Sequence, residues 1–159
     1  MPYAVEVTTQ TALTRLDLFV GEWRVGLGHA IPPPEQGGAR SVFEWALDGQ
    51  FLIQRTEIPD PNAPNSLSIV AYDPNTDAYT QHYFDSRGVV RLYAMTLRDG
   101  IWTLARESPD FTPLDFSQRF TGRFSADGNT ILGTWELTGN GSGWKKDFDL
   151  IYSRVKPSR

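Results

Sequence analysis

Cysteine is absent from this chain of 159 residues, and its absence excludes disulfide bonds, a thiol nucleophile and thiolate ligands for a metal ion. Histidine is nearly absent too, with His29 and His82 as its two copies. A metal site would have to combine a histidine with carboxylates, such as His82 with Asp85 or Glu57. A histidine that is hydrogen-bonded within a strand is the more common case, and we therefore expect neither a metal nor a cofactor.

Long apolar runs and an excess of positive charge are also lacking. No segment approaches the roughly 20 apolar residues that a membrane-spanning helix needs, and residues 1–7 lack the basic and apolar regions of a signal peptide. The net charge is -4, and no basic stripe suits a nucleic acid or an anionic membrane surface. We expect a cytoplasmic protein whose partners include neither nucleic acid nor membrane. The length fits a single domain over residues 1–159.

Alternation of apolar and polar residues dominates the rest of the sequence. Asp48–Gly49 is the strongest local signal, because a two-residue hairpin turn needs positive φ angles that glycine adopts easily. Before the first strand, near-helical spacing of apolar residues over 8–20 predicts a short helix. The alternation predicts about ten strands separated by turns, at residues 23–27, 40–47, 50–58, 66–72, 78–84, 89–97, 101–107, 116–124, 130–137 and 144–155.

Short connections between these strands favour antiparallel pairing of consecutive neighbours. A single antiparallel sheet of this length must close on itself to bury its apolar face. The sequence therefore predicts an all-β fold: one up-and-down barrel of about ten strands with a short N-terminal helix that caps one end. An irregular stretch at 31–38 contains three prolines and two glycines. We interpret this stretch as a surface loop or a mobile lid.

Side chains at positions i and i+2 point to the same face of a strand, so alternation also predicts the barrel interior. For strand 78–84 the pattern leaves open whether His82 or Asp85 points inward. A barrel of ten strands is wide enough to enclose a small cavity. The residues predicted to bind a ligand there are aromatic or polar side chains: Arg55, Tyr83, Arg91, Tyr93, Trp102, Arg106, Gln118 and Trp135.

Five short motifs follow one another in an order typical of a known family. They are Leu18-Phe19-Val20-Gly21-Glu22-Trp23, Leu47-Asp48-Gly49-Gln50-Phe51-Leu52, Ala71-Tyr72-Asp73-Pro74, Gly133-Thr134-Trp135-Glu136 and Tyr152-Ser153-Arg154. On these motifs the chain resembles the uncharacterised bacterial lipocalin-like barrels of the calycin group. The resemblance implies a ten-stranded barrel with a central cavity, but no established reaction.

The chain resembles, more distantly, the nitrobindin-type barrels, which hold haem through a histidine near the C-terminus. The last predicted strand, at residues 144–155, has no histidine. The haem site that this resemblance implies therefore does not carry over, unless His82 substitutes.

Three hypotheses for function follow. The first is a non-catalytic barrel that binds a small, partly apolar and anionic molecule in its cavity, because the predicted interior mixes aromatic rings with arginines that have no evident partner. The second is an enzyme on the same barrel that uses His82 or Asp85 with Tyr83 and an arginine for proton transfer or hydrolysis. The third is a filled barrel that serves as a structural or interaction module, for example as a homodimer through an outer sheet face. The sequence favours the first.

Overall fold

The computed structural model describes residues 2–28, 38–110, 115–139 and 143–156, with side chains from Thr9 onward. Helix α1 (Pro2–Arg15) continues into a short 3₁₀ helix (Leu16–Phe19). Apart from Gly38, the predicted loop at 31–38 lies outside the described residues. Ten strands follow the helices: β1 (Gly21–Leu27), β2 (Ala39–Ala46), β3 (Phe51–Glu57), β4 (Ser66–Asp73), β5 (Ala78–Asp85), β6 (Val90–Arg98), β7 (Ile101–Arg106), β8 (Ser117–Phe124), β9 (Thr130–Thr138) and β10 (Lys145–Arg154).

All ten strands join one closed sheet. Every strand pairs antiparallel with its neighbours in the chain, and β1 completes the ring by pairing with β10. At this closure Trp23 lies opposite Arg154, and Leu27 lies opposite Leu150. The prediction of an all-β, up-and-down barrel of ten strands with an N-terminal helix is confirmed. Closure removes the free edges at which an open sheet could pair with other chains.

The connection between β2 and β3 lies at the predicted turn but is longer than the predicted two residues: residues 47–50 separate the paired Ala46 and Phe51, and Leu47 also has a positive φ of 52°. Asp48 and Gly49 both have φ angles in the left-handed region, at 60° and 76°. The N–H of Gln50 donates to the carbonyl of Leu47 over 3.3 Å. Asp48–Gly49 therefore forms the tip of a four-residue connection that reverses the chain into β3.

One end of the barrel is plugged by the segment that precedes β1. Phe19 is fully buried. Its ring packs against Phe43, Trp102 and Phe124 at centroid distances of 5.1, 4.9 and 5.3 Å. Trp23 is also fully buried, and its Nε1–H donates to the carbonyl of Phe19 over 2.9 Å. We call Phe19 and Trp23, with the 3₁₀ helix that carries Phe19, the plug.

Arg154 of β10 fastens the plug to the barrel wall. Its Nη1 donates to the carbonyl of Val20 and its Nη2 to the carbonyl of Leu18, both over 2.6 Å. The guanidinium carbon lies 4.1 Å from the centre of the Trp23 ring, within cation–π distance. The end of a helix leaves carbonyl groups without partners inside that helix, and this arginine provides donors for them.

Two glycines make room for an aromatic ring in the middle of the barrel. Gly122 of β8 lies opposite Gly133 of β9, and the ring of Phe120 packs over both. A Cβ atom at Gly133 would lie 2.6 Å from Cε1 of Phe120, and one at Gly122 would lie 2.9 Å from its Cε2. Such distances are far below van der Waals contact, so both positions need glycine for packing.

Replacing Gly133 with alanine should therefore overpack the barrel. We expect Gly133→Ala to lower the free energy of unfolding by about 1–3 kcal/mol, measured by urea denaturation. Gly139→Ala is the matched control, because a Cβ atom there would meet nothing within 4 Å; its effect should stay within about 0.5 kcal/mol. Equal unfolding midpoints for the Gly133 variant and the unchanged protein would contradict this account of the packing.

Candidate functional site

A cavity of about 540 Å³ occupies the half of the barrel away from the plug. Its two sides differ in chemistry. Strands β3 to β5 line it with amide and hydroxyl side chains, namely Gln54, Thr56, Ser66, Ser68 and Gln81. Strands β7 to β10 line it mostly with rings and aliphatic groups, namely Trp102, Leu104, Phe120, Trp135, Leu150 and, at the mouth, Phe148; Gln118 and the Tyr152 hydroxyl are the polar groups on this side.

The aromatic rings of the cavity form a continuous chain of contacts. Ring centroids lie 4.8 Å apart for Trp102 and Phe120, 5.1 Å for Phe120 and Trp135, and 5.7 Å for Trp135 and Tyr93. Tyr83 meets Tyr93 edge to face at 6.4 Å. Tilted and edge contacts of this kind fix ring orientations. The structure thus brings together four residues that the sequence placed in the cavity: Tyr83, Tyr93, Trp102 and Trp135.

The polar side of the cavity contains one satisfied and one unsatisfied glutamine. Gln54 Nε2 donates to Ser41 Oγ over 2.9 Å, and Ser41 Oγ lies 3.0 Å from Thr56 Oγ1. Gln81 is 5% exposed, and its Oε1 has no hydrogen-bond partner in the part of the chain that the structure describes. Trp102 Nε1, at the cavity floor, is buried without a partner in the same way. Unpaired buried polar groups are unfavourable unless a ligand or water pairs with them.

Arg91, Tyr93 and Gln118 form a hydrogen-bonded cluster in the cavity wall. Gln118 Oε1 accepts from the Tyr93 hydroxyl over 3.1 Å and from Arg91 Nη1 over 3.3 Å. Burial raises the pKa of Tyr93, so its hydroxyl stays protonated. Across residues 38–110, 115–139 and 143–156, no carboxylate forms an ion pair with Arg91, and its Nε is buried without a partner.

Arg106 lies inside the barrel but does not line the cavity, which corrects the prediction. Its Nε and Nη2 each donate to Asp110 over 2.8 Å, and both side chains are 1% exposed. Asp110 also accepts the N–H of Leu92 over 2.9 Å. The ion pair raises the pKa of Arg106 and compensates its charge. The sequence analysis does not identify Asp110. A carboxylate four positions after an inward-facing arginine could have indicated this ion pair.

Arg55 lies on the outer face of the barrel, so the prediction that it lines the cavity is wrong. Its side chain is 55% exposed and forms an ion pair with Glu44 of β2. Strand β3 instead directs Leu52, Gln54 and Thr56 inward. Both faces of β3 mix apolar and polar residues, so alternation alone gave no basis for choosing, and a shift of one residue exchanges the faces.

For β5 the structure answers the open question of orientation. His82 lies on the outer face, where its Nε2 is 3.3 Å from Thr80 Oγ1. Asp85 lies at the mouth of the barrel; its carboxylate accepts from the Tyr83 hydroxyl over 2.8 Å and from Arg87 Nη2 over 2.6 Å. His82 therefore cannot serve as a base or a haem ligand inside the cavity.

The Tyr83–Asp85 pair is poorly suited to proton transfer. Burial and the hydrogen bond to Asp85 both raise the pKa of Tyr83. Burial by itself raises the pKa of Asp85, but hydrogen bonds from Arg87 and Tyr83 outweigh it and lower that pKa to about 2. At neutral pH the tyrosine keeps its proton and the carboxylate stays ionised. General acid–base catalysis works best with a pKa near the working pH, so this geometry does not favour the enzyme hypothesis.

Among the described residues, no group of three or more histidine, cysteine, aspartate and glutamate side chains could hold a metal ion. His29 lies outside these residues. Within the same ranges, neither helix has the length and apolar character that crossing a membrane would require.

The geometry defines a ten-stranded antiparallel barrel with a plug at one end and a cavity at the other. No family model matches the chain, and no curated protein matches it. Among solved structures it is similar to the crystal structure of Rv2717c from M. tuberculosis, with a TM-score of 0.58 and 14% sequence identity over 91% of this chain and 98% of that chain. At this identity the similarity supports the barrel fold alone. The lipocalin-like and nitrobindin-like resemblances stay predictions.

The ionised Asp85 should make the fold sensitive to acid. Its folded pKa of about 2 lies below the usual value of an unfolded aspartate, near 3.9. Its contribution to stability is therefore complete above about pH 4 and is lost as the pH falls toward about 2. Asp85→Asn removes this dependence, and it should lower the free energy of unfolding at neutral pH by about 1–3 kcal/mol.

Urea denaturation at a series of pH values measures both effects. Between about pH 4 and pH 2, the stability of Asp85→Asn should fall less than that of the unchanged protein. Asp48→Asn is the control, because Asp48 is exposed in the β2–β3 turn, and its variant should keep the full acid sensitivity. Parallel losses of stability in the Asp85 variant and the unchanged protein would show that this carboxylate does not have the inferred role.

Proposed function

We propose that this barrel binds a small molecule that is partly apolar and carries an anionic group, and that the cavity is its binding site. The observation that carries the proposal is Arg91, a cavity-lining guanidinium that forms none of the ion pairs found among the described residues. The alternatives of an enzyme and of a filled barrel have less support from the geometry.

The three arginines near the barrel mouth differ in how their charges are compensated. Arg87 is paired with Asp85 over 2.6 Å, and Arg106 is paired with Asp110 over 2.8 Å. Arg91 has instead a neutral partner in Gln118, which orients its guanidinium. A guanidinium offers five N–H donors in a fixed plane, so a carboxylate, sulfonate or phosphate could pair with those that remain. An anionic ligand would also neutralise a charge that is otherwise unfavourable in a partly buried place.

The cavity is suitable in size and lining for the apolar part of such a ligand. Small-molecule sites usually span about 300–1,000 Å³ and are lined mostly by apolar and aromatic groups, and the cavity of about 540 Å³ falls in that range. Phe120 and Trp135 present rings that other rings already hold in place. A wall that is organised before binding reduces the entropy that a ligand loses on entering.

Native mass spectrometry of freshly purified protein, beside the same sample after denaturation, tests whether a molecule is held. We expect a mass excess that denaturation releases as an anion. A direct titration with anilinonaphthalene sulfonate, an aromatic anion, tests the site itself and does not depend on what the expression host supplies.

The titration gives a sharp comparison between two arginine variants. Arg91→Gln should weaken binding of the sulfonate about tenfold or more, because a charge-assisted hydrogen bond is lost. Arg55→Gln is the matched control, since Arg55 lies on the outer face, and it should leave the affinity unchanged. Near-UV circular dichroism should confirm native packing in both variants, because this dye also binds partly unfolded states. Equal affinities in the two variants would refute the proposed role of Arg91.

A further inference from the structure

The two sides of the cavity face each other across the barrel. In a closed ring of ten strands, the strand opposite β4 is β9, five positions away in the order of pairing. Strands β3 to β5 carry mostly amides and hydroxyls, and β8 to β10 carry Phe120, Trp135 and Leu150 together with the polar groups of Gln118 and Tyr152. A flat ligand between them would therefore have rings against one side and hydrogen-bonding groups against the other.

Gln81 is the polar side chain on this wall that most needs a ligand. Its Oε1 is buried and has no partner in the ranges that the structure covers. The other two glutamines of the cavity differ, because Gln54 donates to Ser41 and Gln118 accepts from Tyr93. A buried carbonyl oxygen without a donor is unfavourable, and a ligand with an O–H or N–H group would satisfy it.

The register of the sheet fixes the spacing between Gln81 and the cationic site. Gln81 lies directly opposite Tyr93 in the β5–β6 pair. Arg91 lies two residues before Tyr93 on β6, about 7 Å nearer the mouth at roughly 3.4 Å per residue. Both side chains line the cavity. One molecule with an acid group at one end and a hydrogen-bond donor several ångströms away could therefore reach both.

We propose that the ligand is a flat aromatic acid with a neutral hydroxyl group at the end far from its acid group. This inference rests on the proposed function. The acid group pairs with Arg91 at the mouth, the ring lies against Trp135 and Phe120, and the hydroxyl donates to Gln81 Oε1. The proposed function specifies only that the ligand is partly apolar and anionic. The inference adds a second polar group, a hydroxyl, and places it at the end of the ligand far from the acid group.

Cinnamate and para-hydroxycinnamate are suitable probes, because they share the ring and the carboxylate and differ in the far hydroxyl alone. Isothermal titration calorimetry should show para-hydroxycinnamate binding the unchanged protein about three- to tenfold more tightly, the effect of one neutral hydrogen bond. Gln81→Met, nearly the same size without the amide, should bring this ratio close to one. Gln50→Met is the matched control and should keep the preference, because Gln50 is exposed in the β2–β3 turn, outside the cavity.

The outcomes separate this inference from the proposed function. Equal affinities for the two probes in the unchanged protein would overturn the inference, even where Arg91→Gln still weakens both; the proposed function would then stand. A preference that persists in Gln81→Met would overturn the assignment of the hydroxyl to Gln81. If neither probe binds and the sulfonate titration also fails, both proposals are refuted. The ratio in the unchanged protein needs no variant, so the test does not depend on how Gln81→Met folds.

Discussion

The contact between Arg154 and the plug determines which end of the barrel is closed and which end holds the cavity. A barrel of ten strands is too wide for its own side chains to fill everywhere, so one end must be closed by a separate segment. Phe19 and Trp23 fill that end, and Arg154 holds them by two short hydrogen bonds to main-chain carbonyls and by stacking on Trp23. Because one end is sealed in this way, the space that is left opens toward the other end.

Helix α1 and the 3₁₀ helix each make one more polar contact with the barrel wall. The Tyr79 hydroxyl of β5 donates to the carbonyl of Ala12 over 2.6 Å, and Trp45 Nε1 of β2 donates to Asp17 Oδ1 over 2.8 Å. Strand β5 therefore holds α1, which leads into the plug, and strands β2 and β10 hold the plug. Apolar packing accounts for its burial, and these polar contacts fix its position. The cavity floor rests on this layer, since Trp102 contacts both Phe19 and the cavity.

The sequence predicts the barrel well and the cavity in part, for one physical reason. Where a strand has one clearly apolar face, as in β6 with Tyr93 and Met95, alternation predicts the inward side correctly. Where the outer face is apolar too, alternation loses its contrast. Ile53 of β3 pairs with Ile69 of β4, which pairs with His82 of β5. Because this outer row is partly apolar, alternation predicts Arg55 inward and does not decide the orientation of His82. Loop carboxylates such as Asp110 follow no period at all.

Ion pairing of arginines can, however, be predicted from the sequence by a second signal: a carboxylate within a few residues of the arginine. Arg87 follows Asp85 by two residues and Arg106 precedes Asp110 by four, and each forms its ion pair with that neighbour. Residues 87–95 around Arg91 contain no carboxylate, and the residue opposite it on β5 is Tyr83. Arg91 thus lies on an inner face with no acidic neighbour along the chain or across the adjoining strand, and its partners are the neutral Gln118 and the ring of Phe116. Under the proposed function, an anionic ligand in the cavity supplies that counter-charge.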